Sequence, residues 1–238
     1  MATSVYAQKI KAMLEKAAST TNPHERDAYQ QRAERLMVKW GVSDAMLASV
    51  RDEMIITEFL QIDDKPLIGW CVMLNNIATS TGQVQIFTTG PLDEELDFII
   101  LYLVGHRSDV ERLKMLWESV KIQAADALQA YWDYYVLHIP PTEALLKWSA
   151  DAKRAQFLAS YGSSVGDRLK RDLSTEMSFH KGAEMVVASR KKAVDDWVAE
   201  SIEPPAPTFY FYEDLSARIA GWTGGAQATF QGDTDGTA

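Results

Sequence analysis

The chain reads as an α+β protein, mostly helical: an N-terminal helical hairpin, a small three-stranded sheet with one covering helix, and a C-terminal bundle of long helices. Three observations predict this. Apolar residues recur at helical spacing over most of the 238 residues. Only three short runs are rich in β-formers, and all fall between residues 54 and 104. Glycines and proline pairs interrupt the pattern where helices should stop.

Tyr6, Ile10, Met13, Leu14 and Ala17 share one face and predict a helix from about Ser4 to Ala18. Asn22-Pro23-His24-Glu25 reads as the next start: Asn22 caps, Pro23 suits the first turn and Glu25 reaches back. Tyr29, Ala33, Leu36, Met37 and Trp40 continue that helix, and Gly41 terminates it. So short a connection makes the pair antiparallel, and a lone pair buries too little surface to be stable. It must pack on the rest of the chain or on a partner.

A short helix is expected over Ser43–Val50. Met54–Leu60, Val84–Thr88 and Leu96–Val104 predict strands, with Gly90-Pro91 as a turn. Between the first two, Leu67, Trp70, Cys71, Leu74, Ile77 and Ala78 predict a helix over Pro66–Ser80. Ser108-Asp109-Val110-Glu111 has the form of a capping box opening a helix to about Tyr135, which Pro140-Pro141 ends. Leu145, Leu146, Trp148, Ala152, Phe157, Leu158, Tyr161, Val165 and Leu169 predict another from Thr142 to Leu173. Gly162 and Gly166 within it either permit close helix contact or break the helix in two. A last helix runs from Lys181 to Ser201, stopped by Pro204, Pro205 and Pro207. Beyond Gly221 the composition of Gly, Thr, Gln and Asp predicts flexibility. The organisation is therefore a basic helical hairpin (1–51), a small α+β domain ending in a long helix (52–137), a helical region (138–203), and a Pro/aromatic exit with a flexible tail (204–238).

The net charge is −9 but unevenly spread. Residues 1–51 hold eight Lys/Arg against five Asp/Glu, residues 52–97 one against nine, and residues 153–192 nine against four. The acidic total argues against a protein that coats DNA uniformly. The polarity suits docking onto a partner of mixed charge, or reflects solvated helix faces. A single cysteine, Cys71, cannot form an intrachain disulfide, so a reducing, cytoplasmic setting is the default. The longest apolar run, Phe98–Val104, is far short of the about 20 residues a bilayer requires.

The search for reactive groups finds little. His24, His106, His138 and His180 stand apart with no ligand-spaced Cys or His. No phosphate-binding loop or dinucleotide fingerprint occurs. His106-Arg107-Ser108-Asp109 resembles a fragment of a kinase catalytic loop without the other kinase parts. Gly162-Ser163-Ser164-Val165-Gly166 matches the spacing of a nucleophile elbow, but the flanking residues are helical, so a helix–helix contact is the better reading. Asp93-Glu94-Glu95-Asp97 reads as a solvated turn, and Cys71 as a buried structural thiol. No catalytic residue, metal site or cofactor is expected.

Two features invite a partner. Lys9, Lys16, Arg26, Arg32, Arg35 and Lys39 in the hairpin, with Arg168, Lys170, Arg171, Arg190 and Lys191 later, are candidate contacts to a protein partner or to nucleic acid. Phe209-Tyr210-Phe211-Tyr212 after the proline-rich exit is a candidate aromatic anchor, filling a pocket on a partner or packing back on its own core.

The stretch Lys9 to Leu47 resembles a bacterial and bacteriophage helical-hairpin domain family of unknown function, through Lys9-Ile10, Met13-Leu14, Lys16-Ala17, Ala33, Leu36-Met37 and Gly41. Phe157–Gly162 with Arg168-Leu169, and Glu184–Arg190 with Val194, are similar to the helical C-terminal parts of longer actinobacterial members. The resemblance carries over no catalytic residue. It implies a phage or prophage setting, where small acidic proteins often redirect another protein. The expected function is a non-enzymatic phage-type accessory or regulatory protein that binds another protein, such as a DNA-bound recombinase or replication factor. The alternative is a regulator that binds DNA or RNA directly through its Lys/Arg helix faces.

Overall fold

The structure, a computed structural model, describes residues 53–88, 95–138, 147–201 and 215–228, with individual positions of the N-terminal segment from Lys9 to Lys39. Several sequence expectations lie outside the described residues. They are Tyr6, Leu14, Met37 and Trp40 of the hairpin faces, Pro23 and His24 of the second helix start, the stop at Gly41, the short helix Ser43–Val50, the turn at Gly90-Pro91, the acids Asp93 and Glu94, and the stop at Pro140-Pro141. Leu145, Leu146, the Trp148 side chain, the exit Pro204–Pro207, the anchor Phe209–Tyr212 and the last ten residues are outside it as well.

The described positions between residues 9 and 19 and between 25 and 39 are helical. The Lys16 ammonium lies 5.5 Å from the Tyr29 ring centroid, joining the two stretches. Ile10 and Ala33 are fully buried and belong to the main core, with Met13 and Leu36 packed against it. The hairpin thus finds on the rest of the chain the apolar cover that it cannot supply itself.

Three antiparallel strands follow: β1 (Ile55–Ile62), β2 (Val84–Thr88) and β3 (Ile99–His106), in the spatial order β1-β3-β2. Phe59 pairs with Tyr102 and Phe87 pairs with Tyr102 from the other side, so all three share one face of the sheet. The opposite face, with Ile56, Leu60, Ile62, Val84, Ile86, Leu101 and Leu103, enters the main core. There it meets α1 (Leu67–Thr81), whose Leu67, Trp70, Leu74 and Ile77 are buried. Each such side chain contributes about 1.5–3 kcal/mol over exposure. Gly82, at φ +66°, closes α1 by donating its N–H to the Ala78 carbonyl at 3.0 Å, a left-handed cap that favours glycine.

β3 runs directly into α2 (Arg107–His138). The capping box expected at Ser108–Glu111 is not what opens this helix. The Ser108 N–H donates instead to the Glu53 carboxylate at 2.7 Å, so a residue before β1 caps it. Next come α3 (Lys147–Ser178) and α4 (Ala183–Ser201). Gly162 and Gly166 do not break α3. A Cβ at Gly162 would sit 2.6 Å from the Met73 carbonyl oxygen, and one at Gly166 would meet Ser80 and the Asn76 carbonyl, so both glycines admit α1 at backbone distance. Asn76 crosses the same contact, donating to Ala159 O at 2.9 Å and Ser163 Oγ at 3.0 Å.

Two features depart from expectation. The sheet's second face is not left bare: Val194, Trp197 and Val198 of α4 pack across Ile55, Val104 and Phe87. And the first residues of the stretch expected to become flexible beyond Gly221, as far as Gln227, lie within a helix, α5 (Leu215–Gln227). Its glycines serve contact. A Cβ at Gly221 would collide with the Phe157 carbonyl and one at Gly225 would stand 2.5 Å from the Tyr161 carbonyl, so α5 lies against α3 through its backbone.

Candidate partner-binding surfaces

The densest polar cluster joins α4 to the opening of α2. Arg190 donates to Asp109 Oδ2 through Nη2 at 2.8 Å and Nε at 3.3 Å, to Glu53 Oε2 at 2.9 Å, and to Ser108 Oγ at 3.0 Å. Arg112 pairs with the other Asp109 oxygen. The Asp109 side chain is 1% exposed and that of Arg190 7%. Burial alone would raise the Glu53 carboxyl, but the Ser108 N–H and the Arg190 guanidinium outweigh it and hold the group below its usual value. Burial likewise works against the Arg190 charge, and Asp109 and Glu53 overcome it. A guanidinium so engaged has no face for a phosphate. The sequence carried one sign of this: Arg190 falls on the same stripe as Val194 and Val198, both buried.

The other basic candidates divide. Lys9, Lys16, Arg26, Arg32, Arg35 and Lys39 are exposed. Arg35 approaches the C-terminal half of α3, where its charge acts with those of Arg168 and Arg171 on half-buried Asp172. Burial nevertheless keeps that carboxyl above its usual value. Arg168 donates to the carbonyls of Ala226 and Ala228, ending α5 as a cation should. Lys170 and Arg171 are exposed beside it. Lys191 lies elsewhere, paired with Asp195 at 2.8 Å. The fold therefore brings Arg35, Arg168 and Arg171, from segments more than a hundred residues apart, within electrostatic reach of one carboxyl, Asp172, and leaves Arg190 and Lys191 in other ion pairs.

Sequence reading missed a third surface, at the end of α2. Tyr131 stacks on Phe157 (centroids 5.1 Å apart) and Trp132 on Tyr135 (5.3 Å). The Arg154 guanidinium lies 4.0 Å from the Trp132 ring centroid and the Lys153 ammonium 4.7 Å from that of Tyr135. These contacts tie the end of α2 to the start of α3. Beyond them Tyr134 (65% exposed) and Leu137 (80%) stand out one helical turn apart, Tyr134 stacked on His138. The run Tyr131-Trp132-Asp133-Tyr134-Tyr135 was the available signal.

Ser164 is buried in the middle of α3, helical on both sides, beside Gly225 of α5. No strand precedes it, so the elbow spacing is a helix contact here. Cys71 is buried in α1. Among the described residues no group of three or more His, Cys, Asp or Glu could hold a metal ion, and no helix is long and apolar enough to cross a membrane.

Residues 6–44 match a family described as a protein of unknown function (DUF2786). That is the hairpin, under a fifth of the chain. No curated protein and no solved structure matches.

Proposed function

We propose that this chain is a non-catalytic accessory protein that binds another protein through the end of α2. The observation that carries the reading is the cluster of Trp132, Tyr134, Tyr135 and Leu137 with Arg154: aromatic and arginine groups of the kind that dominate binding energy, held rigid by stacking, with Tyr134 and Leu137 turned to solvent. The finer part of the proposal is a phage-type regulator whose partner is engaged on DNA, such as a recombinase or replication protein. The resemblance of the hairpin alone supports that part.

The test is affinity capture from phage-infected bacterial cells with the tagged full chain and with a Tyr134→Ser/Leu137→Ser variant. A partner retained by the first and lost by the second, with thermal stability unchanged, supports the reading; equal retention by both overturns it. A second reading, direct binding to DNA or RNA, draws on the exposed cations Arg35, Lys170 and Arg171, of which Arg35 and Arg171 act with Arg168 on the same carboxyl, Asp172. It requires that the purified chain alone bind duplex DNA or RNA with an affinity that falls steeply as salt rises, and that Arg35→Ala/Arg171→Ala weaken it.

A further inference from the structure

The row Phe59–Tyr102–Phe87 crosses all three strands on the face that α4 covers in part. α4 covers it along the diagonal Ile55, Val104 and Phe87. The corner nearest β1 stays open: Phe59 is 65% exposed, Phe98 47% and Ile100 38%, with the Phe59 ring set edge-on to Tyr102 at 5.1 Å.

That corner borders an edge. β1 pairs with β3 on one side and, among the described residues, with no strand on the other. A free edge offers a row of backbone donors and acceptors, and proteins usually blunt it with lysine, proline or a bulge. β1 reads Ile-Ile-Thr-Glu-Phe-Leu-Gln-Ile, eight residues with neither lysine nor proline, paired with β3 in unbroken register. Asp63, the residue after β1, and Asp97, the residue before Phe98, are exposed carboxylates beyond the paired ends Ile62 and Ile99.

We propose that β1 is a docking edge for an extended, cationic segment of a partner protein, which adds to the sheet as a fourth strand. Backbone pairing supplies the register. Alternate apolar side chains of the incoming strand continue the aromatic row beside Phe59, and its lysines or arginines face Asp63 and Asp97. Charge selects this occupant over a second copy of the chain: Asp63 and Asp97 both stand exposed at this end of the sheet, so two such edges would meet with like charge. This edge lies on a different element from the end of α2, and the proposal stands or falls separately from the partner reading given above.

The probe is a fluorescent nine-residue peptide alternating lysine with valine and phenylalanine. It is compared with its glutamate-for-lysine counterpart and with a copy N-methylated at alternate residues to remove strand pairing. Fluorescence anisotropy is read with the full chain, with Phe59→Thr, and with Asp63→Lys/Asp97→Lys; amide exchange locates the bound strand. The expected result is saturable binding of the lysine peptide alone, slowed exchange over residues 55–62, and weakening of about tenfold or more in each variant. Circular dichroism confirms that both variants are folded. Failure of the lysine peptide to bind overturns the proposal, as does equal binding of the glutamate or N-methylated peptide, or protection elsewhere. A Phe59-dependent dimer in sedimentation overturns it too, by assigning the edge to a second copy.

Discussion

Arg190 of α4 reaches back 81 residues to Asp109 in the first turn of α2, with both side chains almost wholly buried. The same guanidinium holds Glu53, which caps α2, so three segments far apart in sequence meet at one cation. Burying charge is costly, and the arrangement holds because every charge has partners.

Removing the cation should therefore cost more than the pair contributes. Arg190→Met leaves buried Asp109 with Arg112 alone and part-buried Glu53 without its cation, and should lower unfolding free energy by up to about 3–5 kcal/mol in urea titration. Arg190→Lys, with no planar fork to span Asp109, Glu53 and Ser108, should recover only part of it. Amide exchange should speed first along α4.

Two carboxyls should give opposite pH signatures. Glu53 is held below its usual value, so its contribution is complete above about pH 4.3 and disappears as pH falls through its lower folded value. Glu53→Gln should be clearly less stable than the parent at pH 7, with the gap closing toward pH 3. Asp172 is held above its usual value by burial, so folding is favoured below about pH 3.9 and loses that advantage as pH rises through the raised folded value. Asp172→Asn should exceed the parent in melting temperature at pH 7 and match it in acid.

Gly162 tests the α1–α3 contact. An added methyl meets the Met73 backbone, which cannot move aside as a side chain tip can. Gly162→Ala should cost at least about 1–3 kcal/mol, although alanine is the better helix former. Gly182, at φ +86° with open space around it, is the control: there the cost is backbone strain alone, about 1–2 kcal/mol for alanine.

The end of α2 should behave as a surface. Tyr134→Ser and Leu137→Ser should each leave stability within about 0.5 kcal/mol by thermal melting. Trp132→Ser should destabilise, because Trp132 bridges Arg154 and Tyr135.

Local pattern made much of the fold legible. Leu67 to Ala78 repeat with helical period and form α1 nearly to its ends, and Val84–Thr88 is β2. β3 begins later than expected, at Ile99, and runs on to His106 before entering α2. What stayed hidden was decided by distant partners. Ser108 looked like a local cap because its neighbours fit one, yet Glu53 is closer in space. The glycines of α5 read as flexible because propensity sees the lost side chain and not the neighbouring backbone that it admits. For the surfaces, composition named the exposed arginines but could not say that Arg35 would act with Arg168 and Arg171 on Asp172 while Arg190 was drawn inside.

α3 touches α1 through Gly162 and Gly166 and α5 through Gly221 and Gly225, main chain against main chain on both flanks. Rotating or sliding α3 by even an ångström would drive atoms together on one side or the other, so these three helices travel as a single plate. Among the described elements, any yielding on meeting another molecule must come from outside that plate, from α4 or from the edge strand β1.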